Sequence, residues 1–250
     1  MSLLAVQNLS KSFGGVHAVN RVGFSVAAGE LLAMVGPNGA GKTTCFNLIN
    51  GQLRPDAGEI LFEATEMQGL APRDRCRLGI GRTFQVAATF GSMTVRENVQ
   101  LAVLSSERKL NSFFTSFAGA PGKRAGKILE QVGMDAQADR PISELAYGDL
   151  KRVELAVALA ARPRLLLMDE PTAGMALSER HGLMDLVRET VRRENLSVLF
   201  TEHDMDVVFA YADRVIVLAV GELIAQGTPA EVRANARVRR VYLGEEAAHA

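Results

Sequence analysis

Leu31-Leu-Ala-Met-Val35 runs directly into Gly36-Pro-Asn-Gly-Ala-Gly-Lys-Thr43, and a stretch of helical character follows. Five apolar residues in a row have the length and composition of a strand buried on both faces. The eight residues after it fit the phosphate-loop pattern G-x-x-x-x-G-K-[ST], in the strand–loop–helix setting that gives the pattern its meaning. Glycines let backbone N–H groups turn inward around a polyphosphate, and a helix starting near Lys42 aims its positive end at the same anion. The reading places Lys42 on the β- and γ-phosphates and the Thr43 hydroxyl on Mg²⁺. Gly36, Pro37, Asn38, Gly39, Ala40, Gly41 and Thr44 complete the nucleotide-binding wall. The bland alternative is a glycine-rich turn with a solvated lysine. Cys45, one turn into the helix, reads as a buried inert thiol or as a low-pKa thiol beside bound phosphate.

Outward from this loop, apolar runs of strand length alternate with longer stretches of helical period, as in a sheet of mostly parallel strands with crossover helices. Leu3–Val6, Val19–Val26 and Ile60–Phe62 have strand character. Leu31–Val35, Leu165–Met168, Val198–Phe200 and Val215–Leu218 are apolar throughout and predict the central sheet. Between the first and second of these buried strands, roughly residues 86–150, helical patterns dominate, which predicts an inserted helical subdomain. Thr94-Val-Arg-Glu97 is a capping box, and a second start signal lies around Pro121, after the loose segment Asn111–Gly122. Thr228-Pro-Ala-Glu231 carries the same signature near the C-terminal end.

Leu165-Leu-Leu-Met-Asp-Glu170 is a buried strand ending in two carboxylates. Strand ends are where α/β sheets place ligands. In that position Asp169 is a metal carboxylate and Glu170 a general base for water. An apolar run ending in Asp-Glu is weak evidence alone; the phosphate loop supplies the context.

Composition sets outer limits. The 250 residues carry 28 Lys+Arg against 28 Asp+Glu, a net charge of zero, so no electrostatic grip on nucleic acid or anionic lipid is expected. With 48% hydrophobic residues and 31 Gly and Pro together (23 and 8), the chain is globular in composition. Cys45 and Cys76 cannot build a disulfide framework, which points to a reducing compartment. The longest apolar runs, Leu155–Ala161 and Val215–Val220, fall far short of the roughly 18 residues of a membrane span. The opening residues show no basic leader before an apolar stretch, so no secretory signal is expected.

Five further elements in order make the whole chain resemble the ATPase subunit of an ABC transporter. Arg82-Thr-Phe-Gln85 resembles the family's Q-loop, and Leu145-Ala-Tyr-Gly-Asp149 the signature motif usually written LSGGQ. Ala173-Gly-Met-Ala176 stands at the D-loop, Thr201-Glu-His203 at the switch, and Phe13 at the A-loop aromatic. Gly81-Arg-Thr-Phe-Gln85, Met93-Thr-Val-Arg-Glu-Asn98, Glu202-His-Asp-Met205 and Val241-Tyr-Leu-Gly244 are similar to the LivG-type ATPases of branched-chain amino acid importers.

The resemblance implies a P-loop NTPase fold of α/β class: an ABC ATPase core with a mostly parallel sheet, an N-terminal antiparallel β subdomain and an inserted helical subdomain. It implies one nucleotide-binding domain over 1–250, with 1–85 and 151–250 as core and 86–150 as insertion. The implied cofactors are ATP and Mg²⁺. Glu170, His203, Gln85 and Lys42 fill the catalytic positions, Thr43, Gln85 and Asp169 the metal positions, and Phe13 the adenine-stacking position. Ala146, Tyr147 and Gly148 would face the nucleotide of a second subunit. Implied partners are a second ATPase, of LivF-like type or an identical copy, two transmembrane permease subunits and an extracytoplasmic binding protein. The implied location is peripheral, on the cytoplasmic face of the inner membrane, with no nucleic acid.

Three departures from the family pattern stand out. Ala146 replaces the usual signature serine and Asp149 the usual glutamine, so capping of the opposing nucleotide is expected to weaken. Met175-Ala176-Leu177 lacks the usual polar D-loop residue. His17, His181 and His249 lack metal-ligand spacing. Arg233, Arg237, Arg239 and Arg240 form a solvated helix face or meet lipid phosphate. The bland alternative for Phe13 is a core position, against the favoured stacking on adenine, and Phe113, Phe114 and Phe117 pack the insertion or touch the membrane partner. Rival readings are a soluble ABC ATPase acting on ribosomes or DNA, and a transporter subunit that binds nucleotide but hydrolyses little.

Overall fold

The computed structural model describes residues 2–83, 89–107 and 119–246, without the side chains of 242–246. Gln85, the three insertion phenylalanines and His249 lie outside the described residues.

Two sheets organise the chain. The first contains β1 (Ser2–Phe13), β2 (Val16–Ala27), β4 (Ala57–Phe62) and β5 (Thr65–Glu66), antiparallel in the order β2-β1-β4-β5. The second contains β3 (Leu31–Val35), β6 (Ile80–Arg82), β7 (Leu165–Asp169), β8 (Ser197–Thr201), β9 (Arg214–Ala219) and β10 (Glu222–Gly227). Its order is β10-β9-β3-β8-β7-β6, parallel except where β10 folds back on β9. The four strands expected in the centre are the four in the centre, and β3 and β8 are buried at every residue. The first two strands run longer than their apolar cores. Beyond Val6 and before Val19 the chain turns polar, and the two strands extend as a hairpin through Gly14-Gly15, both at positive φ.

The helices are α1 (Lys42–Ile49), α2 (Pro72–Leu78), α3 (Val95–Ser106), α4 (Ala120–Gln131), α5 (Tyr147–Leu159), α6 (Leu177–Glu194), α7 (Met205–Tyr211), α8 (Pro229–Ala234) and α9 (Ala236–Glu246). Both expected capping boxes form. The Thr94 hydroxyl accepts from the Glu97 N–H while Glu97 accepts from the Thr94 N–H at 2.8 Å, and Thr228 and Glu231 repeat the arrangement. None of the described helices is long and apolar enough to cross a membrane.

In the sequence between β6 and β7, α3, α4 and α5 pack on one another through Val95, Val99, Val103, Ala125, Leu129 and Val153. Backbone bonds from Val95 N–H to Arg140 O and from Ile142 N–H to Met93 O close this region on itself. Helix α5 runs unbroken past residue 150, so the expected limit of the insertion falls inside one helix, and its C-terminal half packs with the core.

Strand alternation divides the apolar interior. Leu31, Ala33 and Val35 of β3 join the core shared with α3 to α7, whereas Leu32 and Met34 join the core of α1 and the antiparallel sheet. One further buried group holds the second side together. Arg75 of α2 donates to the carbonyls of Leu48 and Ile49 at the end of α1, both at 2.7 Å, and to those of Met67 and Leu70. Its guanidinium thereby caps the negative end of the helix that starts at the phosphate loop.

Candidate functional site

The parallel strands β3, β8 and β7 lie side by side, so the loops that follow them emerge from one edge of the sheet. Thr201 is the common neighbour, pairing with Met34 on one side and Asp169 on the other. The phosphate loop, the Asp169-Glu170 pair and the Glu202-His203 pair are therefore adjacent by topology.

The loop between β3 and α1 is bent by Gly36, Gly39 and Gly41, all at positive φ. At Gly41, with φ 103°, a Cβ would collide with the carbonyl of Ala18, so both conformation and space require glycine. Helix α1 starts at Lys42 with no side-chain cap and no acidic residue in its first turn. Its first N–H groups have no intrahelical acceptors, an anion site without a built-in anion. The Lys42 ammonium is held over the loop by the carbonyls of Gly36 (2.5 Å) and Pro37 (3.1 Å), and Thr43 is exposed beside it. Asn38 and Gly39 are exposed at the tip, and Ala40 is buried. Burial pushes the Cys45 thiol up to about 12, so it is the inert core thiol.

Asp169 is buried. One carboxylate oxygen accepts from the Thr201 hydroxyl at 2.8 Å, and the other from the Arg82 guanidinium at 3.1 Å. Glu170 follows with φ 49°, left-handed and costly for a residue with a side chain. That conformation is fixed by its N–H, bonded to the Thr201 hydroxyl at 3.0 Å. The Glu170 carboxylate meets His203 Nε2 at 2.8 Å, so the two side chains expected to handle water touch each other. Neighbouring Glu202 is buried and accepts from both the N–H and the hydroxyl of Thr172.

Phe13 ends β1 with 46% exposure, which decides against the core reading, and Lys11 lies 5.6 Å from its ring centre. The signature residues form the start of α5, with Ala146 as N-cap and no side-chain cap bond. The Tyr147 hydroxyl donates to the Ala173 carbonyl at 3.1 Å, tying the start of α5 to the D-loop of the same chain. Asp149 is not simply a free charge at the helix start: it accepts from the Gln137 amide at 2.9 Å. Leu177, just past the D-loop, is 63% exposed. His17 and His181 are satisfied by Ser12 and Tyr211. Arg233 is exposed and its guanidinium lies over the Phe209 ring at 4.2 Å.

Sequence reasoning missed Arg75, the Thr172–Glu202 link and the Arg82–Asp169 ion pair. Nothing local announces any of them. The arginine and the carboxylate are 87 residues apart and meet only because β6 and β7 are neighbours in the sheet.

Comparison with known proteins agrees with this geometry. Residues 19–173 match the family model described as ABC transporter, and residues 222–248 match the one described as Branched-chain amino acid ATP-binding cassette transporter. The chain is 38% identical to the high-affinity branched-chain amino acid transport ATP-binding protein LivG of Salmonella typhimurium, across 97% of this chain and 98% of the relative. It is 38% identical, with the same coverage, to the corresponding protein BraF of Pseudomonas aeruginosa. A solved nucleotide-free ATP-binding cassette from an ABC transporter superposes with a TM-score of 0.86 at 32% identity, covering 97% of this chain and 99% of that one. The chain belongs to the ATP-binding subunit family of ABC transporters, which hydrolyses ATP to power transport.

Proposed function

We propose that this subunit powers import of branched-chain amino acids or a related small polar or carboxylate substrate. It works peripherally on the cytoplasmic face of the inner membrane. Its partners are a second, LivF-like ATPase, two transmembrane permease subunits and an extracytoplasmic binding protein. The observation that carries the reading is the Glu170–His203 contact at 2.8 Å, on the sheet edge where the phosphate loop and Asp169 also emerge. The match of residues 222–248 supports the choice of cargo class.

The donor set suits ATP and Mg²⁺: a glycine-bent loop, a helix start without acids, a lysine over that loop, an exposed threonine hydroxyl and a buried carboxylate. In this reading the ammonium of Lys42 leaves its loop carbonyls for the β- and γ-phosphates, and Gly36, Asn38, Gly39, Gly41, Lys42, Thr43 and Thr44 supply backbone N–H groups. Thr43 and Asp169 would hold Mg²⁺, with Gln85 from the resemblance, and a bound ion would supply neutralisation of charge on the phosphates. Glu170 takes the proton of the attacking water. His203, bonded to Glu170, fixes the carboxylate and faces the γ-phosphate. Phe13 offers its exposed ring to adenine. Ala146, Tyr147 and Gly148 present the uncapped start of α5 to the nucleotide of the second ATPase. Because Ala146 has no hydroxyl and Asp149 is negative, the site completed in the partner is the weaker of the two, while this chain's own phosphate loop is the competent one.

The test uses the assembled transporter in vesicles with radiolabelled leucine and measurement of phosphate release. Glu170→Gln should lower hydrolysis and uptake about 10²- to 10⁴-fold while ATP binding persists. Unchanged turnover refutes the assignment, and hydrolysis coupled to a chemically different cargo refutes the substrate class.

A further inference from the structure

Arg82 is the last residue of β6, and its guanidinium joins three elements. Nη1 donates to Asn47 Oδ1 on α1 at 2.6 Å and to Gln52 Oε1 at 3.0 Å, while Nη2 donates to Asp169 Oδ2 at 3.1 Å. The side chains of Arg82 and Asp169 are 13% and 3% exposed. Arg82 Nε is buried and has no partner among the described residues. The Thr201 hydroxyl occupies the other oxygen of Asp169. The carboxylate assigned to the metal is thus engaged at both oxygens by the protein's own donors, one of which is a permanent cation.

A guanidinium and a divalent cation cannot both lie against one buried carboxylate without strong repulsion, because little solvent intervenes to screen them. The fork geometry offers a way out. Nη1 already rests on two neutral amide oxygens, so the side chain can turn about that anchor and surrender only the Nη2 bond. The buried, unpaired Nε shows that this arrangement already leaves one donor unsatisfied, so a rotation about the anchor gives up the Nη2 bond while leaving a further donor to re-aim.

We propose that Arg82 is a positioning residue of the metal site: it holds Asp169 as an internal cation and yields that oxygen, pivoting on Asn47 and Gln52, when the carboxylate serves Mg²⁺. The proposal rests on the reading of Asp169 as the metal carboxylate. Arg82 thereby sets the Mg²⁺ concentration at which the nucleotide site becomes loaded.

The experiment uses the purified full-length chain, a fluorescent ADP analogue titrated with Mg²⁺, and thermal denaturation in EDTA and in Mg²⁺. Arg82→Gln should lower the half-saturating Mg²⁺ about 3- to 10-fold, because a competing charge is removed. The same variant should lose thermal stability in EDTA, and Arg82→Lys, which keeps the charge, should restore a wild-type Mg²⁺ requirement. Asn47→Ala should act in the opposite direction, raising the half-saturating Mg²⁺ about 2- to 3-fold, since the pivot loses its shortest acceptor. A purely structural Arg82 would give lower stability with an unchanged Mg²⁺ midpoint, and that result overturns the proposal. If Arg82→Gln does not fold, the Asn47→Ala midpoint decides, with no shift or a downward shift overturning it. Wild-type binding of the analogue without any Mg²⁺ dependence would overturn the metal role of Asp169 and this proposal together. Binding that depends on Mg²⁺ equally in every variant would overturn this proposal alone.

Discussion

Replacing Arg75 by Met should destabilise the nucleotide core without touching any group near the nucleotide. The methionine retains much of the apolar stem, so the change isolates the guanidinium. Four carbonyls lose a donor. Two of them keep another: Leu48 O still accepts from Gly51 N–H and Met67 O from Leu70 N–H. Ile49 O and Leu70 O have no second backbone donor among the described residues; Ile49 has a fully buried side chain, whereas Leu70 is only partly buried, so Ile49 O dominates the cost. An orphaned buried carbonyl costs about 1–3 kcal/mol, and a cation at a helix C-terminus contributes about 0.3–2 kcal/mol. Burial pulls the guanidinium pKa down, a desolvation cost that the wild type bears and the variant escapes, so the middle of the range applies. A loss of about 3 kcal/mol follows, which at about 2–4 °C per kcal/mol for a chain of this size lowers Tm by about 6–12 °C. Differential scanning calorimetry of the purified chain measures this, with Arg75→Lys recovering part of the loss. A Tm within 2 °C of wild type would show that the carbonyls find water and that Arg75 does not secure the end of α1.

Gly41→Ala should weaken ADP binding at least about tenfold, since the left-handed backbone and the Ala18 carbonyl both exclude a Cβ; fluorescence titration checks it, and wild-type affinity would mean that the loop can re-form. Phe13→Ala should weaken nucleotide binding about 5- to 150-fold, the worth of one base–aromatic stack of about 1–3 kcal/mol, and Phe13→Tyr should not. Equal affinities for the alanine and tyrosine variants would remove Phe13 from the site. Asp204 caps α7 and pairs with Arg180 at 2.6 Å. Partial burial pushes its pKa up, but Arg180 and the N–H groups of Val207 and Asp206 outweigh it and hold the carboxyl below the ordinary range. Its contribution is therefore present at neutral pH and lost as pH falls through the depressed pKa. Asp204→Ala should cost about 1–2 kcal/mol at pH 7, with the Tm gap to wild type closing in acid; a gap independent of pH contradicts the assignment.

Much of this molecule is local in origin, and that part is legible in the chain. The strand Leu31–Val35 declares itself by unbroken apolarity, the loop after it by its glycines and lysine, and the starts of α3 and α8 by Thr-x-x-Glu spacing. Division into two sheets is not local. Nothing in Ile60–Phe62 says that it pairs with β1 rather than with the parallel strands. Polar positions such as Lys11 and His17 hide half of the long β1–β2 hairpin, because its outer end projects past any core that would impose alternation. The position of Glu170 is legible but its left-handed backbone is not, since the Thr201 hydroxyl that stabilises it arrives from another strand. Asp149 reads as a free charge at a helix start, and only the fold shows that the Gln137 amide donates to it.

The alternation of β3 has a consequence for how such a subunit diversifies. Leu32 and Met34 belong to the side that carries α1, and Leu31, Ala33 and Val35 to the side that carries the insertion helices. The sheet is thus a partition between two separately solvable packing problems. Substitutions among the buried side chains of α3 and α4 propagate through one core and stop at the strands, while the side chains that seat the phosphate-loop helix answer to the other. A chassis built this way can be refitted to new machinery on one side while the fuel-handling side stays unaltered.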